Sequence, residues 1–227
     1  VEIPRPPHNW SVSPKEAVAI QKRLALSVMQ ERPSQPLRYI AGVDAAFSGD
    51  GLFCLAGVVL WDMKAGEAIE SHTASRRLSF PYIPGLLTFR EAPAAIEALR
   101  KLHRVPDCLM CDGQGIAHPR RCGIATHLGL IVGLPSIGCA KSRLAGSYSM
   151  PGGERGEKSP LMLDDEIVGA VLRTRDNVNP VFVSVGHAID LDTAVHITLE
   201  CGSGFRLPEP TRLADQLVGR EKKKRAE

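Results

Sequence analysis

Apolar residues recur at helical spacing through "SPKEAVAIQKRLALSVMQE", where Ala17, Ile20, Leu24 and Val28 fall on one face. Ser13 stands at the N-cap position and Pro14 at the first helical one, so the pattern predicts an amphipathic helical extension over about residues 13–31. The segment before it, "IPRPPHNW", is too rich in proline for regular structure. After the breaker "RPSQP" the chain turns extended. Three segments, "LRYIAGVDAAFS", "LFCLAGVVLWD" and "EAIESHTASRRLS", follow one another across the turn compositions "GDG" and "MKAG" and predict an antiparallel meander. From Gly85 the helical period returns in "LLTFREAPAAIEALRKL". Then "VPDCLMCD" reads as a short apolar strand, "CGIATHLGLIVG" as a helix closed by glycine, and "PSIGCAK" as another strand. A hairpin of "DEIVGAVLRT" and "PVFVSVGH", and helices near "LDTAVHITLE" and "EPTRLADQLV", complete the pattern.

Hairpins on both sides of the second strand leave the free edge of the first strand for the fourth, and a right-handed crossover makes those two parallel. The predicted class is α/β: a mixed sheet, antiparallel three-strand meander plus parallel strands, flanked by helices, in a single domain over residues 1–227. The charged end "REKKKRAE", about 220–227, reads as a solvated tail.

This topology changes the reading of three acids. Asp44 lies inside the first strand and Asp112 ends the fourth, so both face one spot, and the intervening helix brings Glu91 over it. Singly, Asp44 could cap a bulge and Asp112 begin a turn. Together, carboxylates in apolar strands call for a compensating cation, and hard oxygen donors point to Mg2+, with Mn2+ able to substitute. Such an ion activates water and stabilises charge on a phosphoryl group. Lys141, at the end of the next strand, reaches the same sheet end as a phosphate-neutralising or water-orienting cation. His118, Arg120 and Arg121 precede a helix N-terminus and read as a phosphate cradle.

In "LSFPYIPGLLTFRE", Pro81 and Pro84 stiffen the backbone around Tyr82 and Ile83, which reads as an apolar wedge able to unstack a duplex, the alternative being a loop folded onto the core. Cys108, Cys111, His118 and Cys122 have a spacing near that of zinc modules. Residues three apart on a strand point to opposite faces, however, which argues against a noncatalytic zinc-held module.

Composition adds bounds. The chain has 44% hydrophobic and 23% charged residues, enough for a sizeable core, and its net charge of +3 permits a polyanionic partner without demanding one. No apolar run is long enough for a membrane span, and the start resembles no secretory signal, so the expectation is a cytoplasmic protein with no membrane partner, acting as a monomer. The six cysteines sit mostly in apolar runs, as reduced core residues do.

The motifs "GVDAAF", "PYIPGLLTFRE", "DGQGIAHPRRCGIATHLG", "IGCAKSRL", the Gly-His at 186–187 and "LPEPTRLAD" resemble the endonuclease V family over about residues 15–218. The resemblance implies a ribonuclease-H-like fold and magnesium-dependent DNA repair: incision at the second phosphodiester bond 3′ to a deaminated base, chiefly deoxyinosine, leaving 3′-hydroxyl and 5′-phosphate ends. An inosine-directed ribonuclease is the alternative. By the same resemblance the metal-binding acids are Asp44, Asp112 and Glu91, the active-site lysine is Lys141, and the strand-separating wedge is Pro81, Tyr82, Ile83 and Pro84. Backbone around Gly85, Leu87, Gly113 and Gly138 would form the lesion pocket, since glycine permits close approach of a flipped base. Many members have histidine where this chain has Gln114. Asp215 falls where members carry histidine or aspartate, as an extra metal-shell or water-orienting residue, and His187 is expected near DNA.

Overall fold

In the computed structural model, which describes residues 1–225, the alternating and helical patterns resolve into one mixed sheet between helices. The strands are β1 (Tyr39–Phe47), β2 (Phe53–Asp62), β3 (Glu67–Arg77), β4 (Cys108–Cys111), β5 (Ser136–Ala140), β6 (Lys158–Leu163), β7 (Glu166–Leu172) and β8 (Val181–His187). The helices are α1 (Pro14–Ala25), α2 (Thr88–Arg100), α3 (Ile124–Val132), α4 (Leu191–Glu200) and α5 (Glu209–Lys224). Across the sheet the order is β3-β2-β1-β4-β5-β8-β7-β6. β4 pairs parallel with both β1 and β5, and the other pairings are antiparallel, so the meander and the crossover stand where the hydrophobic pattern put them.

The period of two divides the strand residues between two cores. Ile40, Cys108, Met110, Ile137 and Cys139 pack on the side of α4, while Ala41, Val43, Leu109 and Cys111 pack under α2 and α3. α1 lies outside this second layer, with Ala17, Ile20 and Leu24 against Phe80, Leu86 and Phe89. α5 crosses β1 and β2 on the α4 side. It approaches so closely that a Cβ at Gly42 would lie 2.0 Å from the Pro210 carbonyl oxygen. The glycine therefore sets the height of α5 above β1.

The structure departs from the sequence reading or adds to it at three places. The N-terminal helix ends at Ala25 instead of near residue 31, with a capping box of Ser13 and Glu16 at its start. Past Leu26 the backbone pairs elsewhere: Ala188 N–H donates to Met29 O at 2.8 Å, and Val28 and Leu37 pack on the main core, contacts a continued helix could not make. β6 is not announced by alternation, because Pro160 interrupts it and its outer positions are exposed, as an edge strand tolerates. At the charged end Lys222, Lys223, Lys224 and Arg225 are exposed, while the backbone stays helical past residue 220. α5 runs to Lys224, Arg225 lies over the Phe53 ring and bonds Ser75, and residues 226–227 lie outside the described residues. None of the helices among the described residues is long and apolar enough to cross a membrane.

Candidate active site

Asp44 shares a sheet face with Ile40 and Gly42. Asp112 shares that face with Cys108 and Met110, directly beyond the last β4 residue, where its N–H donates to Val43 O at 2.9 Å. Lys141 follows β5 on the same face. The parallel register thus delivers three chemistry-bearing side chains to the C-terminal ends of adjacent strands, where open α/β sheets place their ligands. Asp215 enters from above on α5. One oxygen each of Asp44, Asp112 and Asp215 lies within 4.8 Å of the others. Glu91, in the first turn of α2, comes over the sheet end from the opposite layer and lines the same cavity, though it is not a member of that compact trio.

The cavity holds about 360 Å³, within the range of small-ligand sites. Burial, then the charge of Asp112, raises the Asp44 pKa to about 7. Burial, then the charges of Asp44 and Asp112, takes Glu91 to about 8. Asp112 is also raised by burial, against the opposing pull of Lys141. The Lys141 ammonium lies 2.6 Å from Asp112 and 2.8 Å from Asp215. Burial alone would depress its pKa, but these two bonds outweigh that and hold it above its ordinary value. An oxygen-only donor set that retains protons near neutrality, with one ammonium shared between two of its members, is short of positive charge. It fits a hard divalent cation.

The predicted wedge stands out from the core. Phe80 and Leu86 are buried anchors, and between them Tyr82 is 66% exposed, with Pro81 and Pro84 also exposed and Ile83 partly covered by the α1 cluster. Gly85 adopts φ +77, a conformation that disfavours any side chain. Its carbonyl accepts from Gln21 Nε2 at 2.9 Å, His118 Nε2 at 3.0 Å and Arg120 at 2.7 Å. Three donors on one oxygen fix the loop's root.

Two of the three residues read as a phosphate cradle, His118 and Arg120, take part in those bonds, and His118 also lines the cavity. His118 is 2% exposed, and burial lowers its pKa to about 4, so it is neutral. Arg120 also donates to Gln21 Oε1 at 2.6 Å. Arg121 pairs with Glu166 at 3.0 Å and donates to Leu163 O, which ties it to the β6–β7 hairpin. These groups brace the scaffold. His187, expected near DNA, pairs with Ser136 at the start of β5, roughly 16 Å along the strand from Lys141. There its Nδ1 accepts from Met29 N–H at 3.4 Å.

Of the residues read as a lesion pocket, Gly85, Leu87 and Gly113 line the cavity; Gly138 does not. It lies beneath the 113–115 segment, where a Cβ would come 2.4 Å from Gly115 N, so it serves the close packing of that segment on β5. Gln114 is 6% exposed and lines the cavity; its Nε2 donates to Ser142 O at 2.9 Å, while Oε1 has no hydrogen-bond partner among the described residues. All six cysteines are free and buried. Cys108 and Cys111 belong to opposite cores and Cys122 to the α1 cluster, so the zinc spacing does not converge on a point.

A family model described as Endonuclease V matches residues 21–216. The chain is 51% identical over 215 residues to an Endonuclease V of Roseiflexus castenholzii, covering 95% of this chain and 96% of that one. The crystal structure of an Endonuclease V from Streptomyces avermitilis superposes with a TM-score of 0.91 at 42% identity, over 97% of this chain and 98% of that one. A Ciona intestinalis Endonuclease V, in complex with a 24mer DNA containing an inosine followed by a ribo-adenosine, aligns with a TM-score of 0.80 at 25% identity, over 92% of this chain and 98% of that one. Matched along nearly its whole length in sequence and in fold, the chain belongs to the endonuclease V family.

Proposed function

We propose that this protein is a DNA repair endonuclease that recognises deaminated bases, chiefly deoxyinosine, and hydrolyses the second phosphodiester bond on the 3′ side, with Mg2+ or Mn2+ held by Asp44, Asp112 and Glu91. The observation that carries the reading is the convergence of Asp44, Asp112 and Asp215 oxygens within 4.8 Å. Asp44, Glu91 and Asp112 line a cavity whose wall continues through Gly85 into the loop bearing Tyr82. Bound there, magnesium supplies Lewis-acid activation of water and stabilises charge on the phosphoryl oxygens. The protein's own groups do the rest. Asp44 and Glu91, with pKa values raised to about 7 and about 8, hold protons that a cation displaces. Lys141 neutralises the acids between turnovers and then meets the substrate phosphate. Asp215, on the open side of Lys141, orients water.

Tyr82 enters the base stack, and the peptide groups of Gly85, Leu87 and Gly113 receive the extruded base. Every group in this scheme comes from one chain, so a monomer suffices. A second reading, incision of a strand with ribose 3′ to inosine, is favoured by the relative crystallised on such a strand. Labelled duplexes carrying one inosine, with deoxyribose or ribose at the next position, separate the two. Incision of the all-DNA duplex in Mg2+, abolished by EDTA and by Asp112→Ala, supports the first; cleavage confined to the ribose strand supports the second. Wild-type cutting by Asp112→Ala overturns both.

A further inference from the structure

Away from the carboxylate cavity, a second set of ligand atoms converges at the edge of the sheet. Glu70 and His72 stand two residues apart on β3 and therefore share a face. Through the pairs Asp44↔Gly57 and Gly57↔Thr73, that face is opposite the one bearing Asp44, and two strands removed from β1. His103 arrives from the turn after α2. His72 Nε2 lies 2.7 Å and His103 Nδ1 2.8 Å from the same oxygen, Glu70 Oε1, and one ligand atom from each residue lies within 4.8 Å of the others.

Two ring nitrogens aimed at one carboxylate oxygen need a hydrogen or a cation in each gap, because bare lone pairs would repel. Two protons satisfy that need, and so does one cation. The anchoring of Glu70 does not depend on the imidazole nitrogens: the backbone N–H groups of His103 and Arg104 donate to its carboxylate at 2.8 and 3.4 Å. A shift of register between Leu60 and Trp61 leaves Ile69 as the extra residue on β3, next to Glu70; such bulges re-aim side chains. Neighbouring arginines are engaged elsewhere. Arg38 pairs with Asp62 at 2.6 Å, and Arg104 lies 4.4 Å above the Tyr39 ring.

We propose that Glu70, His72 and His103 bind one divalent cation of borderline softness, Zn2+ being the best match, and that the ion clips the edge strand β3 to the turn that leads from α2 into β4. Two imidazoles and one carboxylate are a zinc donor set, whereas the oxygen-only cavity selects magnesium. Side-chain exposures of 25% for His72, 15% for Glu70 and 86% for His103 leave remaining coordination positions to water. The site is independent of the nuclease centre and closes no part of it.

The test titrates metal-free protein with Co2+, as a spectroscopic substitute for Zn2+, in saturating Mg2+ that fills the oxygen site. One equivalent is expected to bind with the visible absorption of a nitrogen-ligated centre. Zn2+ at a hundredfold excess over its Kd is expected to raise Tm by about 5 °C or more. His103→Ala, a change at an exposed position that the fold tolerates, and Glu70→Gln each weaken binding at least about tenfold. Asp44→Ala leaves it unchanged. A Co2+ isotherm identical in wild type and His103→Ala, or one abolished by Asp44→Ala, overturns the proposal. Loss of the absorption band in His72→Ala, with circular dichroism unchanged, supports it independently.

Discussion

Gly42→Ala perturbs the active site without touching a chemical group. The added Cβ would lie 2.0 Å from Pro210 O and 2.1 Å from Pro210 C, whereas real Cβ contacts essentially never fall below 3.0 Å. Backbone atoms cannot rotate away, so the first turn of α5 must retreat from β1 by about 1 Å, the difference between those distances. Asp215 rides on the same helix five residues later. Overpacking of this kind costs about 1–3 kcal/mol, and each kcal/mol lowers Tm by about 2–4 °C in a chain of this size. A 1 Å displacement of a functional group costs on the order of 100-fold in rate.

Thermal denaturation and single-turnover incision of an inosine duplex read the two effects. Combining Gly42→Ala with Asp215→Asn should lose little more activity than the stronger single variant, since both act through one side chain. Gly219→Ala is the control. It lies in the same helix with nothing within 4 Å of its new methyl, and should gain about 0.5–1 kcal/mol with activity unchanged. A Gly42→Ala protein that melts and cuts like wild type would refute the argument that α5 height positions Asp215.

In metal-free protein, Asp44 near 7 and Glu91 near 8 bind protons that the unfolded chain, with carboxylates near 4, has released. Stability therefore falls as pH rises through the folded values. His118 and His127, lowered by burial to about 4 and about 3, contribute with the opposite sign, but only below about pH 6.5. Between about pH 6.5 and 8, Tm in EDTA should decline and Mg2+ should flatten the slope; a rising EDTA curve would contradict the assignment. Tyr82→Ala, at an exposed position, should change stability by less than about 0.5 kcal/mol yet lose more affinity for inosine duplex than for single strand, and equal losses would remove the wedge. Arg120→Ala should lower stability by about 1–3 kcal/mol while the salt dependence of DNA binding keeps its slope; a slope smaller by about one would make Arg120 a phosphate contact after all.

Local pattern was enough for the framework. The meander, the crossover and the parallel placement of β4 beside β1 and β5 follow from strand periodicity, turn residues and handedness, each set by a few neighbouring residues. Because register is then forced, Asp44, Asp112 and Lys141 were legible as neighbours, and a rigid tip bracketed by Pro81 and Pro84 was legible as projecting.

What only tertiary structure decided is which partner each polar group meets. Asp215 joins the acids because Gly42 lets α5 settle on β1, a contact between residues far apart in sequence. His118 and Arg120 look like anion ligands along the chain, yet both turn to the Gly85 carbonyl, an oxygen freed by that glycine's left-handed backbone. Gly138 lies beneath the 113–115 segment instead of on the cavity wall for the same reason: strand periodicity gives the face of a residue, while the loops and helices packed on that face determine what it touches. Hydrophobic spacing is a local property of the chain, and hydrogen-bond pairing is settled only when distant segments compete for the same donors and acceptors.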